Sequence, residues 1–204
     1  MRPQVLGILI CMSAVLVSAQ SSIRQVDFKN FTYPLSGPLL GHADLKWLGN
    51  PKDGYRNRKP IHLVNGDDFT KTSSFVMNGH EYAQWAGFTF ESVDYADVTG
   101  DGKEDAIVVL RYHTSGTQTT DYVYFYSFDA GKPRLLAYCY TGDRAYLGLY
   151  KVYGDHGKLI FELLDPEKRD GDCCSSGFVR TRYQWDGSRF VLVGAPEYGT
   201  LEGP

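Results

Sequence analysis

The chain has 204 residues, with 21 Lys and Arg against 24 Asp and Glu, for a formal net charge of −3. So balanced a charge lacks the basic face that nucleic acid or an anionic membrane surface requires, and the length suits one domain with its own hydrophobic core. Aromatic residues make up 14% of the chain, including 15 tyrosines, a bias that favours pleated, half-buried strands over helix.

Residues 1–19 read as a cleavable signal peptide. Arg2 is followed by the apolar run 5–17 and then by Val17, Ser18 and Ala19, the small residues that signal peptidase accepts. Cleavage after Ala19 makes Gln20 the first mature residue and places the protein in the periplasm or outside the cell. The run is shorter than the roughly 20 apolar residues that span a bilayer, and no later run reaches that length, so membrane insertion is not expected. Cys11 is preceded by Ile8, Leu9 and Ile10, which do not form a lipoprotein cleavage site.

Residues 20–78 form an expected irregular N-terminal segment packed on the same domain. Pro34, Pro38, Pro51 and Pro60, with glycines at 37, 41, 49, 54 and 66, interrupt every run before it reaches helical length. Short strands are expected near Phe31 and at 61–64, with one helical turn at 43–48. Residues 79–204 carry the expected antiparallel β core, as runs of strand length at 88–95, 106–113, 122–128, 134–140, 149–153, 159–164, 178–185 and 190–193.

Three joints between these runs share hairpin chemistry: Asp129, Ala130, Gly131; Asp155, His156, Gly157; and Asp186, Gly187, Ser188. An antiparallel meander follows. In 179–185, apolar or uncharged Val179, Thr181, Tyr183 and Trp185 alternate with Arg180, Arg182 and Gln184, so that strand has one buried and one wet face. Runs 106–110 and 122–126 show no charged face, as in central strands covered on both sides. The predicted fold class is therefore all-β, a two-layer or strongly curled sheet.

Loss of Cys11 with the leader leaves Cys139, Cys173 and Cys174 in an oxidising compartment, where a single intrachain bridge can form. The favoured pairing joins Cys139 to one member of the Cys173–Cys174 doublet, with a gain of about 2–4 kcal/mol. A vicinal Cys173–Cys174 disulfide and three free thiols are the alternatives.

The pattern with the most chemical content is 97–105, Asp97-Val98-Thr99-Gly100-Asp101-Gly102-Lys103-Glu104-Asp105. Oxygen-bearing side chains stand at loop positions one, three, five and nine, and glycine at six permits the sharp turn. Hard cations such as calcium take six to eight oxygen ligands, and the Lys103 carbonyl adds one to those of Asp97, Thr99, Asp101 and Asp105. Val108 holds position twelve, where an EF-hand requires Glu.

Residues 88–110 resemble the calcium loop of FG-GAP and VCBS repeats: Phe88, then Ser92 and Val93, then the aspartate loop, then the apolar strand 106–110. That resemblance implies a loop joining two adjacent antiparallel strands, with calcium held by Asp97, Thr99, Asp101, the Lys103 backbone and Asp105. The loop occurs once, so a complete β-propeller of such repeats is not implied. In general outline the chain also resembles small secreted bacterial proteins that carry one such loop.

Other features support bland readings. The stripe Tyr122, Tyr124, Tyr126, Phe128 suits core packing better than a sugar platform, and Arg180, Arg182 and Arg189 suit a solvated face. The polar stretch 114–120 reads as a hairpin loop with room for a ligand-recognition role. Asp165, Glu167, Asp170 and Asp172 read as a charged loop. No nucleophile elbow, metal-binding His pair or phosphate loop is present. The expected function is a non-enzymatic exported domain, stabilised by calcium, that binds a protein or glycan. The alternative is an exported hydrolase acting on cell-wall or extracellular polymer through dispersed carboxylates.

Overall fold

The computed structural model describes residues 22–40, 60–116, 119–143, 146–170 and 174–201. The signal peptide expected at 1–19, the helical turn expected at 43–48 and Cys173 lie outside them. The strands are, in chain order, β1 (Thr32–Tyr33), β2 (Ile61–His62), β3 (Asp67–Met77), β4 (His80–Ala96), β5 (Asp105–Thr114), β6 (Thr119–Asp129), β7 (Lys132–Tyr140), β8 (Leu149–Asp155), β9 (Lys158–Leu164), β10 (Arg169–Asp170), β11 (Cys174–Ser175), β12 (Gly177–Trp185), β13 (Phe190–Leu192) and β14 (Glu197–Thr200). The fold is nearly all β, and its antiparallel sheets close into neither a barrel nor a propeller.

The first large sheet is a five-stranded meander, β3-β4-β5-β6-β7. Two of its hairpins turn on residues at positive φ. Asn78 (φ 52°) and Gly79 (φ 77°) join β3 to β4, and Ala130 (φ 48°) and Gly131 (φ 80°) join β6 to β7, the two-residue turns whose twist matches the strands they connect. The second sheet runs β13-β12-β9-β8, with β14 also paired to β12. His156 and Gly157 make its β8–β9 turn.

The first sheet is the middle layer. One face packs on the second sheet through Ile107, Val109, Val123 and Phe125 against Leu159, Phe161, Val179 and Tyr183. Its other face is covered by the N-terminal segment: Ile23, Phe28, Tyr33, Ile61 and Leu63 lie on Val108, Leu110, Tyr122, Tyr124 and Tyr126. Two covers explain why β5 and the middle of β6 carry so few polar residues. The tyrosine stripe is core, with Tyr33 and Tyr124 ring centroids 5.0 Å apart and the Tyr124 hydroxyl donating to the Pro34 carbonyl at 3.1 Å. On β12 the predicted alternation is present, with Val179, Thr181 and Tyr183 buried between half-exposed Arg180 and Arg182.

Two expectations change. The irregular segment expected to reach Asn78 ends at Asp67, where β3 begins its pairing along β4. The Asp, Thr, Lys and Ser in the sequence of β3 hid it, because charged and polar residues are common in a strand at a sheet edge. The favoured Cys139 disulfide is also absent. Cys139 pairs in register with Val123, points into the core between the sheets and is a free thiol. Burial pushes its pKa up, which suppresses thiolate chemistry.

Candidate functional site

The aspartate loop joins β4 to β5, two adjacent antiparallel strands. Asp97 organises it from within. Its Oδ1 accepts from the amides of Gly100 (2.6 Å) and Asp101 (3.2 Å), and its Oδ2 accepts from Gly102 (2.9 Å). Gly100 (φ 75°) and Gly102 (φ 83°) supply the left-handed backbone that aims those amides inward. Asp101 Oδ1 accepts from Lys103 N at 2.9 Å. Asp105 Oδ2 accepts from the amides of Val98 and Thr99, each at 3.1 Å.

Asp105 is the unusual group. Only 1% of it is exposed, and burial, countered by hydrogen bonds from Thr99 and Val98, pushes its carboxyl up to about 6. The groups that act on it are Thr99, Val98 and the like-charged Asp101; no basic side chain is among them. The donors of the loop are all oxygens, which fits a hard cation. Among the described residues, however, no three His, Cys, Asp or Glu side chains converge closely enough to grip a metal. Exposed Asp101 would have to turn inward to join Asp97 and Asp105.

The loop is wedged at the junction of the layers. Val98 is fully buried in the core between the sheets. A Cβ on Gly154 of β8 would stand 2.4 Å from the Ala96 Cβ, so only glycine lets the β8–β9 hairpin approach so closely. From the N-terminal side, Arg24 donates to Glu104 through Nε (2.5 Å) and Nη2 (2.6 Å), and its guanidinium lies 4.6 Å from the Tyr95 ring centroid. Both covers of the central sheet therefore touch this hairpin.

A second cluster was not legible as a site in the sequence. Arg111 of β5 donates through Nε to Asp121 Oδ1 at 2.8 Å and places Nη1 3.0 Å from Glu91 Oε2. Burial pushes the Asp121 carboxyl up, and Arg111 offsets only part of that. Alongside, Thr89 Oγ1 and His113 Nε2 are 3.1 Å apart. Phe69 and His113 both stand opposite Gly87 in the register, with ring centroids 5.8 Å apart. The signals were present as the charge that ends the apolar run at Arg111 and the acid that precedes the run at Tyr122. Only the pairing of β4, β5 and β6 brings them together.

Beyond this cluster, β3 and β4 continue past the end of β5 as a two-stranded ribbon. Phe75, Val76, Met77, Tyr82 and Trp85 are exposed along it, Val76 by 70%, and the Phe75 and Tyr82 rings stack at 5.4 Å. At its root Ser115 Oγ accepts from the Trp85 amide at 2.7 Å and donates to the Trp85 carbonyl at 3.3 Å, fixing the backbone there. An open cleft of about 330 Å³ adjoins, lined in part by Trp85, Tyr112, Thr114 and Ser115.

The remaining charged features are internally satisfied. Arg180 donates to buried Glu162 at 2.6 Å, Arg182 makes a two-pronged pair with Glu197, and Arg189 lies 3.5 Å from Asp186. Asp165 caps the 3₁₀ turn Pro166–Lys168 by accepting from the Glu167 amide. Comparison with protein-family models, with curated proteins and with solved structures finds no match for this chain.

Proposed function

We propose that this chain works outside the cytoplasm as a non-enzymatic binding domain, stabilised by calcium in the 97–105 loop, that presents its β3–β4 side to a protein or glycan. The observation that carries the binding role is the ribbon. Five large apolar or aromatic side chains are exposed where the two strands have left the rest of the sheet. Phe75, Met77 and Tyr82 share one face of the ribbon and Val76 and Trp85 the other, each at least 40% exposed, and exposed apolar surface of this kind marks interaction sites.

The calcium assignment rests on the buried Asp105 carboxylate, which meets no basic side chain among the described residues, within an all-oxygen loop that resembles the FG-GAP and VCBS calcium loops. Asp97, Thr99, Asp101, the Lys103 carbonyl and Asp105 would hold the ion, whose charge would compensate three carboxylates and tie β4 to β5. The reading of residues 1–19 as an export signal supports it further, because a weak site is filled outside the cell where calcium is plentiful.

The test is retention of a partner from envelope and culture extracts on the immobilised mature protein, with and without calcium. A defined protein or polysaccharide should be retained, more strongly with calcium. Retention of nothing, together with turnover of a polymer substrate, would overturn the binding role in favour of hydrolysis.

A further inference from the structure

The reading above leaves open what is bound and where. We infer that the uncovered part of the central sheet around Arg111 is a binding site for a neutral carbohydrate, with Trp85 and Phe69 as stacking platforms, Arg111, Glu91 and Thr89 as the groups that read hydroxyls, and buried Asp121 holding Arg111 in place. The inference rests on the binding role and specifies its ligand.

The placement follows from strand geometry. Side chains alternate faces along a strand, and the β4 side of the pairing runs without interruption from 80 to 90. Trp85, Gly87 and Thr89 therefore share one face. Phe69 and His113 flank Gly87 on it, and Arg111 stands opposite Thr89. This is the same face that, from Val109 and Val123 inward, packs on the second sheet. The second sheet does not cover its outer part, where Phe69 is 40% exposed and Trp85 46% exposed. From Trp85 to Thr89 the strip runs about 13 Å at roughly 3.3 Å per residue.

The chemistry selects the ligand. A pyranose ring has an apolar C–H face and a rim of hydroxyls, so its site needs a half-exposed aromatic beside planar polar groups held in place. Trp85 and Phe69 provide the first. Arg111, fixed between Glu91 and Asp121, provides the second, since donors and acceptors in one plane pair with adjacent hydroxyls. Gly87 is buried, and its missing side chain lets the β3 backbone at Asp68 and Phe69 close over it, since a Cβ there would stand 2.2 Å from the Asp68 carbonyl oxygen and 2.6 Å from the Phe69 Cα; this brings Phe69 in between Trp85 and Arg111. One cation between two carboxylates gives the cluster a formal charge of −1 when all are ionised, which disfavours phosphorylated and uronic-acid ligands.

Affinity electrophoresis of the mature chain from Gln20, in calcium, tests this with four neutral polymers, hydroxyethyl cellulose, laminarin, galactomannan and soluble starch, and with anionic polygalacturonate. At least one neutral polymer should retard the protein. Trp85→Ala should weaken that retardation by about tenfold, Trp85→Phe should retain most of it, Glu91→Gln should weaken it, and Val191→Ser, exposed on β13 of the second sheet, should leave it unchanged. Retardation by polygalacturonate alone, by no polymer, or equally by wild type and both Trp85→Ala and Glu91→Gln overturns the inference. Capture of a defined protein partner insensitive to Trp85→Ala, without any polymer binding, would leave the binding role standing and sink the carbohydrate site. Release of reducing ends from a retarding polymer would sink the non-enzymatic role and leave the site.

Discussion

The two ends of β4 are built on opposite terms. At Ala96 the strand runs into a loop gripped by its own carboxylates, with Val98 in the core, Gly154 of β8 pressed against it and Arg24 clamped on Glu104. At His80 the same strand ends in a ribbon that pairs with neither β5 nor the second sheet, with Val76, Met77 and Trp85 exposed. One end of this 17-residue strand turns its residues inward on internal contacts, and the other leaves large apolar side chains exposed; on the proposed reading, the first serves stability and the second recognition.

Substitutions should reproduce that division. The largest effect is expected for Val98→Asp, which buries an uncompensated charge where no solvent reaches and should cost about 3–5 kcal/mol. Thermal unfolding reads this directly, at about 2–4 °C per kcal/mol for a chain of this size. Gly154→Ala should cost about 1–3 kcal/mol, because the added Cβ forces the β8–β9 hairpin away from Ala96. A melting temperature unchanged by this variant would mean that the loop is not clamped between the layers. At the other end, Met77→Ser should stay within about 0.5 kcal/mol of wild type, as surface substitutions do. A loss of several degrees there would show that the ribbon is structural, and would erase the contrast.

How far the sequence announced each end has a physical cause. The alternation of β12 and the nearly apolar β5 and β6 were legible because burial on one face or two imposes a pattern of period two or none. The 97–105 turn was legible because its glycines and carboxylates act locally. β3 was not, since Asp67, Asp68, Thr70, Lys71 and Ser73 read as loop, although Asn78 and Gly79 are a strong hairpin signal. The grouping of Glu91, Arg111 and Asp121 was out of reach, because it depends on a register between three strands that includes a bulge between Phe90 and Ser92. The state of Cys139 was equally hidden: compartment and cysteine count favour a bridge, whereas the face on which Cys139 falls places it beneath the second sheet.

The most direct test of the closed end is the melting temperature of the mature protein in excess calcium and in chelator, for wild type and for Asp101→Ala. Asp101 is exposed and accepts a single local amide bond, so this variant should fold. With calcium a hundredfold above its dissociation constant, the wild type should gain about 2.7 kcal/mol, or about 5–10 °C, and Asp101→Ala should lose most of that response. Identical melting temperatures in calcium and chelator for the wild type would contradict the assignment of a calcium site to residues 97–105.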